Sequence, residues 1–540
     1  MSVADMPFVG RAETIAFFAL AHILFANLTF GGLLIALFAQ WRWQRRGDRR
    51  YERLAYTLAR LNALGFTLVA ALAIVLILLF SAVWPAGWAK ILDVYFWPLV
   101  WDVFLFLLEG ALLLRYLHTW PAAQRSRHLF WGAGAALAGA GSLLIINSTA
   151  AALFAPAPGA TALAGGGLDT LGSKFAALPW HDPTWLSASL YRLVGAVSFA
   201  GLAGALVVAV AQRRARQPER RAHLTWLAGL ALRLALLPLL ALPLVGLYFV
   251  WATGTTAPQA LAALVVGNLR WAFGAEMVLL ALLFVVANLY VVRALRAARG
   301  EVRASLAMQW TLLGGMLAVA LGALAAWYGS SESLRAEWDN WGVVGLLVIL
   351  YGAAIALVER VAGGERGASS AAALLPFIVV CTLVPLAPIV QPGPSDFFLT
   401  QLWPWQVAAL VGLVGLTLPM AALYVVARPA LARRKNEPFS ALAVALAGLG
   451  TLLALFVLGY VRDVAVGAYV IFARLSSAAD VFAAPYAAAP WSPSPALALP
   501  PLALGLLLLA VLGWLILRTA PAAEPARPLP ESKLPGGTGG

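Results

Sequence analysis

The chain of 540 residues is 62% hydrophobic and only 11% charged, against roughly 25% charged in soluble domains; a water-soluble fold would lack the polar surface to cover itself. The net charge of +14 raises nucleic acid as a partner, but the basic residues lie where a membrane topology puts them, which excludes that class. The single cysteine, Cys381, sits in an apolar run and leaves no disulfide framework or thiolate metal site.

A helix needs about 20 apolar residues to cross roughly 30 Å of hydrocarbon. In chain order, spans are predicted at Glu13–Trp41, Leu54–Val83, Tyr95–Leu117, His128–Phe154, Thr184–Val210 and Leu224–Trp251. Seven more follow at Leu269–Val292, Ser305–Tyr328, Trp341–Val358, Ala371–Ile389, Trp405–Val426, Phe439–Val461 and Leu499–Leu517. The expected fold is therefore all-α, a polytopic bundle of about thirteen spans. The first stretch is too long for a signal h-region and has no small-residue cleavage site after it. The 21 Trp and 13 Tyr suit two membrane–water interfaces. The Pro- and Gly-containing tail at 519–540 reads as disordered, after a first region at 1–251 and additional spans at 252–518.

Loop charge tests the span count independently. Of the 37 basic residues, 28 fall on one side, beginning with seven Arg between Arg42 and Arg60 and continuing through Arg213–Arg221, Arg293–Arg303 and Arg428–Lys435. Arg11, Lys90, Lys174, Arg335, Arg462 and Arg474 fall on the other. The positive-inside rule then places the N-terminus outside and the C-terminus in the cytoplasm of a bacterial-type inner membrane.

Ionisable groups inside spans are costly and mark functional positions by default. His22 lies about nine residues, or roughly 13 Å, into the first helix, among Phe18, Ala19, Phe25 and Ala26. Small residues beside an imidazole admit a flat cofactor, and neutral His is the usual haem ligand; a buried His bonded to a backbone carbonyl is the plainer alternative. On the third span, Tyr95, Asp102, Glu109 and Tyr116 recur every seven residues and so share one face with about 20° of drift per heptad. A proton relay or a ligand wall fits this stripe, and so do helix-to-helix hydrogen bonds. Arg192, Arg233 and Arg270 also lie in spans, with Glu276 a candidate partner for one of them. His118, His128, His181 and His223 fall at span ends or in loops, so a bis-histidine haem site cannot be built from this chain alone.

The run Ala21–Gly32 (AHILFANLTFGG), the run Trp97–Gly110 (WPLVWDVFLFLLEG), Asn147 near the end of the fourth span and the stretch Pro183–Gly204 together resemble subunit I of the cytochrome bd-type quinol oxidases. The resemblance covers about 210 residues. It implies that His22 is a haem-ligating His and therefore a metal ligand. It also implies that Glu109 belongs to a haem-side proton path and that Asp102 stands where the family has another glutamate beside the haems. Asp463, in Gly459–Asp463 (GYVRD), takes the place of a late glutamate that serves the high-spin haem, and Met277 matches an opposing Met ligand. Arg192, Arg270 and Arg462 would pair with haem propionates. Several features depart from the family. Tyr191 stands where the fifth helix supplies a His ligand, Ala252–Asn268 replaces a long quinol-binding loop, and thirteen spans exceed the usual nine.

The expected function is thus a haem-containing electron-transfer subunit, with haem of b or d type, coupled to proton movement in a respiratory chain. Its expected partners are membrane lipids, a second membrane subunit or an outer-side cytochrome, and quinol as a candidate donor. Two other readings stay open at this level: a haem-free ion-translocating subunit using Asp102, Glu109 and Glu276, and a structural subunit of a respiratory complex.

Overall fold

The computed structural model describes residues 11–83, 85–123, 126–154 and 183–256, with Gly450 alone beyond them. Every element among the described residues is helical: α1 (Arg11–Arg46), α2 (Arg49–Val83), α3 (Pro85–His118), a short 3-10 turn (Trp120–Ala122), α4 (Ser126–Phe154), α5 (Pro183–Arg214) and α6 (Pro218–Thr256). Among the described residues, five stretches are long and apolar enough to cross a membrane, namely Phe18–Arg46, Arg49–Ala82, Tyr95–His118, Arg127–Ala151 and Thr184–Gln212. α6 runs unbroken through the sixth predicted span. The spans predicted from Leu269 onward, the loop at 155–182 and the tail lie outside the described residues.

Each helix overruns its apolar span. α1 continues past Trp41 through Arg42–Arg46, because Arg and Gln are good helix formers and their stems lie along the helix while their heads reach water. Gly47 then ends it in the left-handed region (φ 67°), its N–H returning to the Trp43 carbonyl at 2.8 Å, where glycine carries no Cβ penalty. Asp48 caps the next helix, accepting the Arg50 backbone N–H at 2.9 Å.

The helices pair as three antiparallel hairpins, α1/α2, α3/α4 and α5/α6, and α1 also packs against α4 and α5. Small residues let the backbones approach, as membrane bundles require. A Cβ built on Gly31 of α1 would land inside the Ala196 backbone of α5, and one on Gly201 would meet Ala235 at 2.8 Å. Along α1/α2, Gly65 faces Thr29 and Gly32 faces Asn62, and Trp43 and Tyr51 meet in one core cluster beside the turn. That register fixes depth for everything that follows.

Candidate functional site

α3 carries the heptad stripe, and the fold turns that stripe inward. Tyr95 (9% exposed), Glu109 (8%) and Tyr116 (0%) are buried, and Asp102 is half-buried. The helix is not straight. Tyr95 is non-helical (φ −113°, ψ 21°) with Pro98 three residues on; Pro98 has no N–H to give the Val94 carbonyl and its ring crowds that group. The stripe therefore begins at a kink.

Several polar groups lie within the first five helices, and Ser142 is the one bonded to Asp102. On α1, His22 Nδ1 lies 3.1 Å from the Val69 carbonyl of α2. A carbonyl only accepts, so Nδ1 carries the proton and Nε2 carries the lone pair. Arg192 of α5 is near enough for its charge to act on the His22 ring. On α4, Ser142 Oγ donates to Asp102 Oδ1 at 2.5 Å, and Asn147 Nδ2 donates to Ser189 Oγ of α5 at 3.4 Å. Glu109 lies two turns from Asp102, about 10 Å along the axis. Gly139 of α4 makes room for it, since a Cβ there would sit 2.7 Å from Glu109 Oε1.

A second polar group closes the arginine-rich end of the bundle, and sequence reasoning missed it. Tyr116 Oη donates to Gln40 Oε1 at 2.7 Å. Gln40 Nε2 donates to the Ala123 carbonyl at 3.0 Å and to His128 Nδ1 at 2.7 Å. His128 Nε2–H donates to the Tyr116 carbonyl at 2.8 Å, which fixes the tautomer that leaves Nδ1 able to accept. Gln40 is fully buried and His128 is 3% exposed. The available signal was a lone Gln on the buried face of α1, spaced to meet the last tyrosine of the stripe.

Among the other predicted residues, Arg233 Nε donates to the Gly229 carbonyl one turn back at 2.8 Å, a local bond that accounts for its place in the span. Tyr191 and Arg192 are both half-buried on α5. Glu276, Arg270, Met277, Arg462 and Asp463 lie outside the described residues. No group of three or more metal-ligating side chains occurs among the described residues. Asn62 is buried with Nδ2 unpartnered, its Oδ1 set against Gly32.

The chain was compared with known proteins. Residues 11–266 match the sequence profile of the family described as cytochrome bd terminal oxidase subunit I. A solved structure titled as that of bd oxidase from Geobacillus thermodenitrificans is similar at 16% identity and a TM-score of 0.40, over 87% of this chain and 98% of that one. No curated protein matches. The match begins at the first residue of α1 and ends beyond α6, so it spans every helix described above. This is a multi-pass membrane protein whose residues 11–266 match the cytochrome bd terminal oxidase subunit I family.

Proposed function

We propose that the chain is a haem-binding electron-transfer subunit of a proton-coupled respiratory complex in a bacterial inner membrane. It would have about thirteen spans, its N-terminus outside and its C-terminus in the cytoplasm. The observation that carries the reading is the bond from His22 Nδ1 to the Val69 carbonyl. A histidine that ligates a metal gives its other ring N–H to a carbonyl or carboxylate, which fixes the ring and raises its basicity. The plainer reading of His22 and the ligand reading thus describe the same arrangement.

The residues present would hold a haem through one histidine. His22 offers Nε2, and the small Ala19 and Ala26 share its side of α1. They do not supply a second histidine, because Tyr191 holds that position. Met277 and Asp463 remain proposed contributors on the second region (252–518), and Arg270 and Arg462 join Arg192 as proposed propionate partners. When bound, haem supplies reversible one-electron iron chemistry.

The chain's own residues do the rest. Val69 holds the imidazole. The Arg192 cation beside it favours anionic groups there. Ser142 orients the Asp102 carboxyl, and Glu109, two turns further along the stripe, holds or passes a proton at its carboxyl oxygens. The proposed partner is a second membrane subunit or an outer-side cytochrome. With only Ala252–Asn268 in place of the long loop, quinol oxidation is assigned elsewhere in the complex.

The pyridine haemochrome assay of wild type and His22→Ala tests the assignment. The variant should lose at least one haem. Full haem content in a folded His22→Ala protein would remove His22 as a ligand. Because Tyr191 replaces a ligand, low-temperature reduced spectra of wild type should lack a sharp low-spin α-band from this chain. Such a band, abolished in Met277→Ala, would overturn that part.

A further inference from the structure

We infer that the arginine-rich cap formed by the α1–α2 turn and the first turns of α6 binds the headgroup of an anionic phospholipid. Between residues 42 and 53 the chain places Arg42, Arg45, Arg46, Arg49, Arg50 and Arg53 against only Asp48 and Glu52. Asp48 is already spent: Arg50 grips it at 2.7 Å. Glu52 is the remaining acid of the turn, so the cap keeps a large positive excess.

Topology alone asks for arginines on this side but not for their arrangement. Arg45 lies over the Trp41 ring at 4.8 Å, Arg50 over Trp226 at 4.8 Å, and Arg42 over Tyr51 at 5.8 Å. The guanidinium groups are thereby held beside aromatic rings, two of which, Tyr51 and Trp226, pack with Trp43, Ala55 and Leu230 in an apolar cluster. Tyr51 and Trp226 meet edge to face at 5.0 Å, tying the turn to α6. Aromatic rings at headgroup depth beneath planar bidentate donors suit a phosphodiester whose acyl chains run down the bundle. Arg42 Nε is buried without a partner, so one donor of the cap is unsatisfied by protein.

The field at the cap is positive by an internal gauge. His223 of α6 stacks on Trp226, and burial first, then the charges of Arg53 and Arg50, depress its proton affinity, with Asp48 opposing. A phosphate set among these groups would offset that field. The inference stands apart from the haem reading, since none of these residues is assigned to the cofactor.

The test uses the delipidated full-length protein in neutral detergent, titrated with phosphatidylglycerol or phosphatidylcholine in mixed micelles and followed by thermal melting. Phosphatidylglycerol should raise Tm at low ionic strength and phosphatidylcholine should not; inorganic phosphate at the same concentration should not substitute for the lipid. Each arginine removed should weaken apparent affinity on the order of fivefold, so Arg45→Gln with Arg53→Gln should weaken it well over tenfold. Both side chains are exposed, so folding is spared. Arg214→Gln with Arg216→Gln removes the same charge from the α5–α6 turn and should leave the titration unchanged. Equal stabilisation by the two lipids, full replacement by inorganic phosphate, or equal losses in the two double variants would overturn the site.

Discussion

Two polar regions of this bundle are built differently. At the arginine-rich end, Gln40, Tyr116, His128 and the Ala123 carbonyl satisfy one another in a closed ring. His22 and Asp102, by contrast, are each tied on one side only: His22 through Nδ1 to a carbonyl, Asp102 through one oxygen to Ser142. A closed ring of buried hydrogen bonds rigidifies and specifies a packing. Groups that keep unused lone pairs leave room for chemistry. Both regions stand on the same stripe of α3, so a polar residue in a span is not functional by depth alone. What separates the two cases is whether the protein itself uses up its bonding capacity.

That contrast breaks or sharpens in measurements. The largest expected effect belongs to Glu109→Gln, which keeps size and hydrogen bonding but removes the transferable proton. It should assemble with haem intact and slow proton-coupled electron transfer by roughly 10²–10⁴-fold, the range of general acid–base steps. Asp102→Asn should instead shift the haem spectrum. Normal turnover with haem lost in Glu109→Gln would make Glu109 a ligating or packing group and dissolve the distinction.

Next in size is Tyr116→Phe in the closed ring, which leaves Gln40 Oε1 without its donor in a fully buried site. A buried group left unsatisfied costs about 1–3 kcal/mol, read as a lower Tm with haem content unchanged. Paired with His128→Ala in a double-mutant cycle, it should show a coupling energy of about 0.5–3 kcal/mol. Additive effects, or haem loss from Tyr116→Phe, would mean the ring is not the self-contained unit described.

The smallest effect is at the turn. Arg50's hydrogen bond holds the Asp48 carboxyl below its usual range. The pair therefore stabilises the fold at neutral pH, and its contribution fades as pH falls through the lowered Asp48 value. Arg50 is 53% exposed, so solvent screening leaves under about 0.5 kcal/mol. Asp48→Asn should lower Tm slightly at pH 7 and not at all in strong acid. A pH-independent difference would point to the helix cap rather than the charge.

Much of the architecture was legible in the sequence. Apolar length marked the first six helices, because the hydrocarbon thickness sets it, and the arginines bracket them in line with the positive-inside bias. The inward stripe was legible from the period of seven alone. The helix ends were not, since hydropathy reports where the membrane is and Arg42–Arg46 stay helical beyond it. The kink at Tyr95 goes with Pro98, which the period of seven does not register. The partners Ser142, Gln40 and Gly139 were hidden because they depend on the register between helices, and no periodicity within one helix encodes that. His128 was visible only as a span-end histidine; its role comes from a glutamine 88 positions away in the chain.

The contact of Gly31 with the Ala196 backbone has a mechanical meaning. Two helices that touch backbone to backbone cannot slide there; they can only tilt about the touching point, as a pair of shears turns on its rivet. His22 lies nine residues along α1 from that rivet, roughly 13 Å, and Arg192 sits on the other blade. A tilt of only a few degrees at Gly31 would open or close the distance between them by about an ångström at that lever arm. One methyl group at position 31, far from any reacting atom, is therefore enough to spread the blades and mistune the pair.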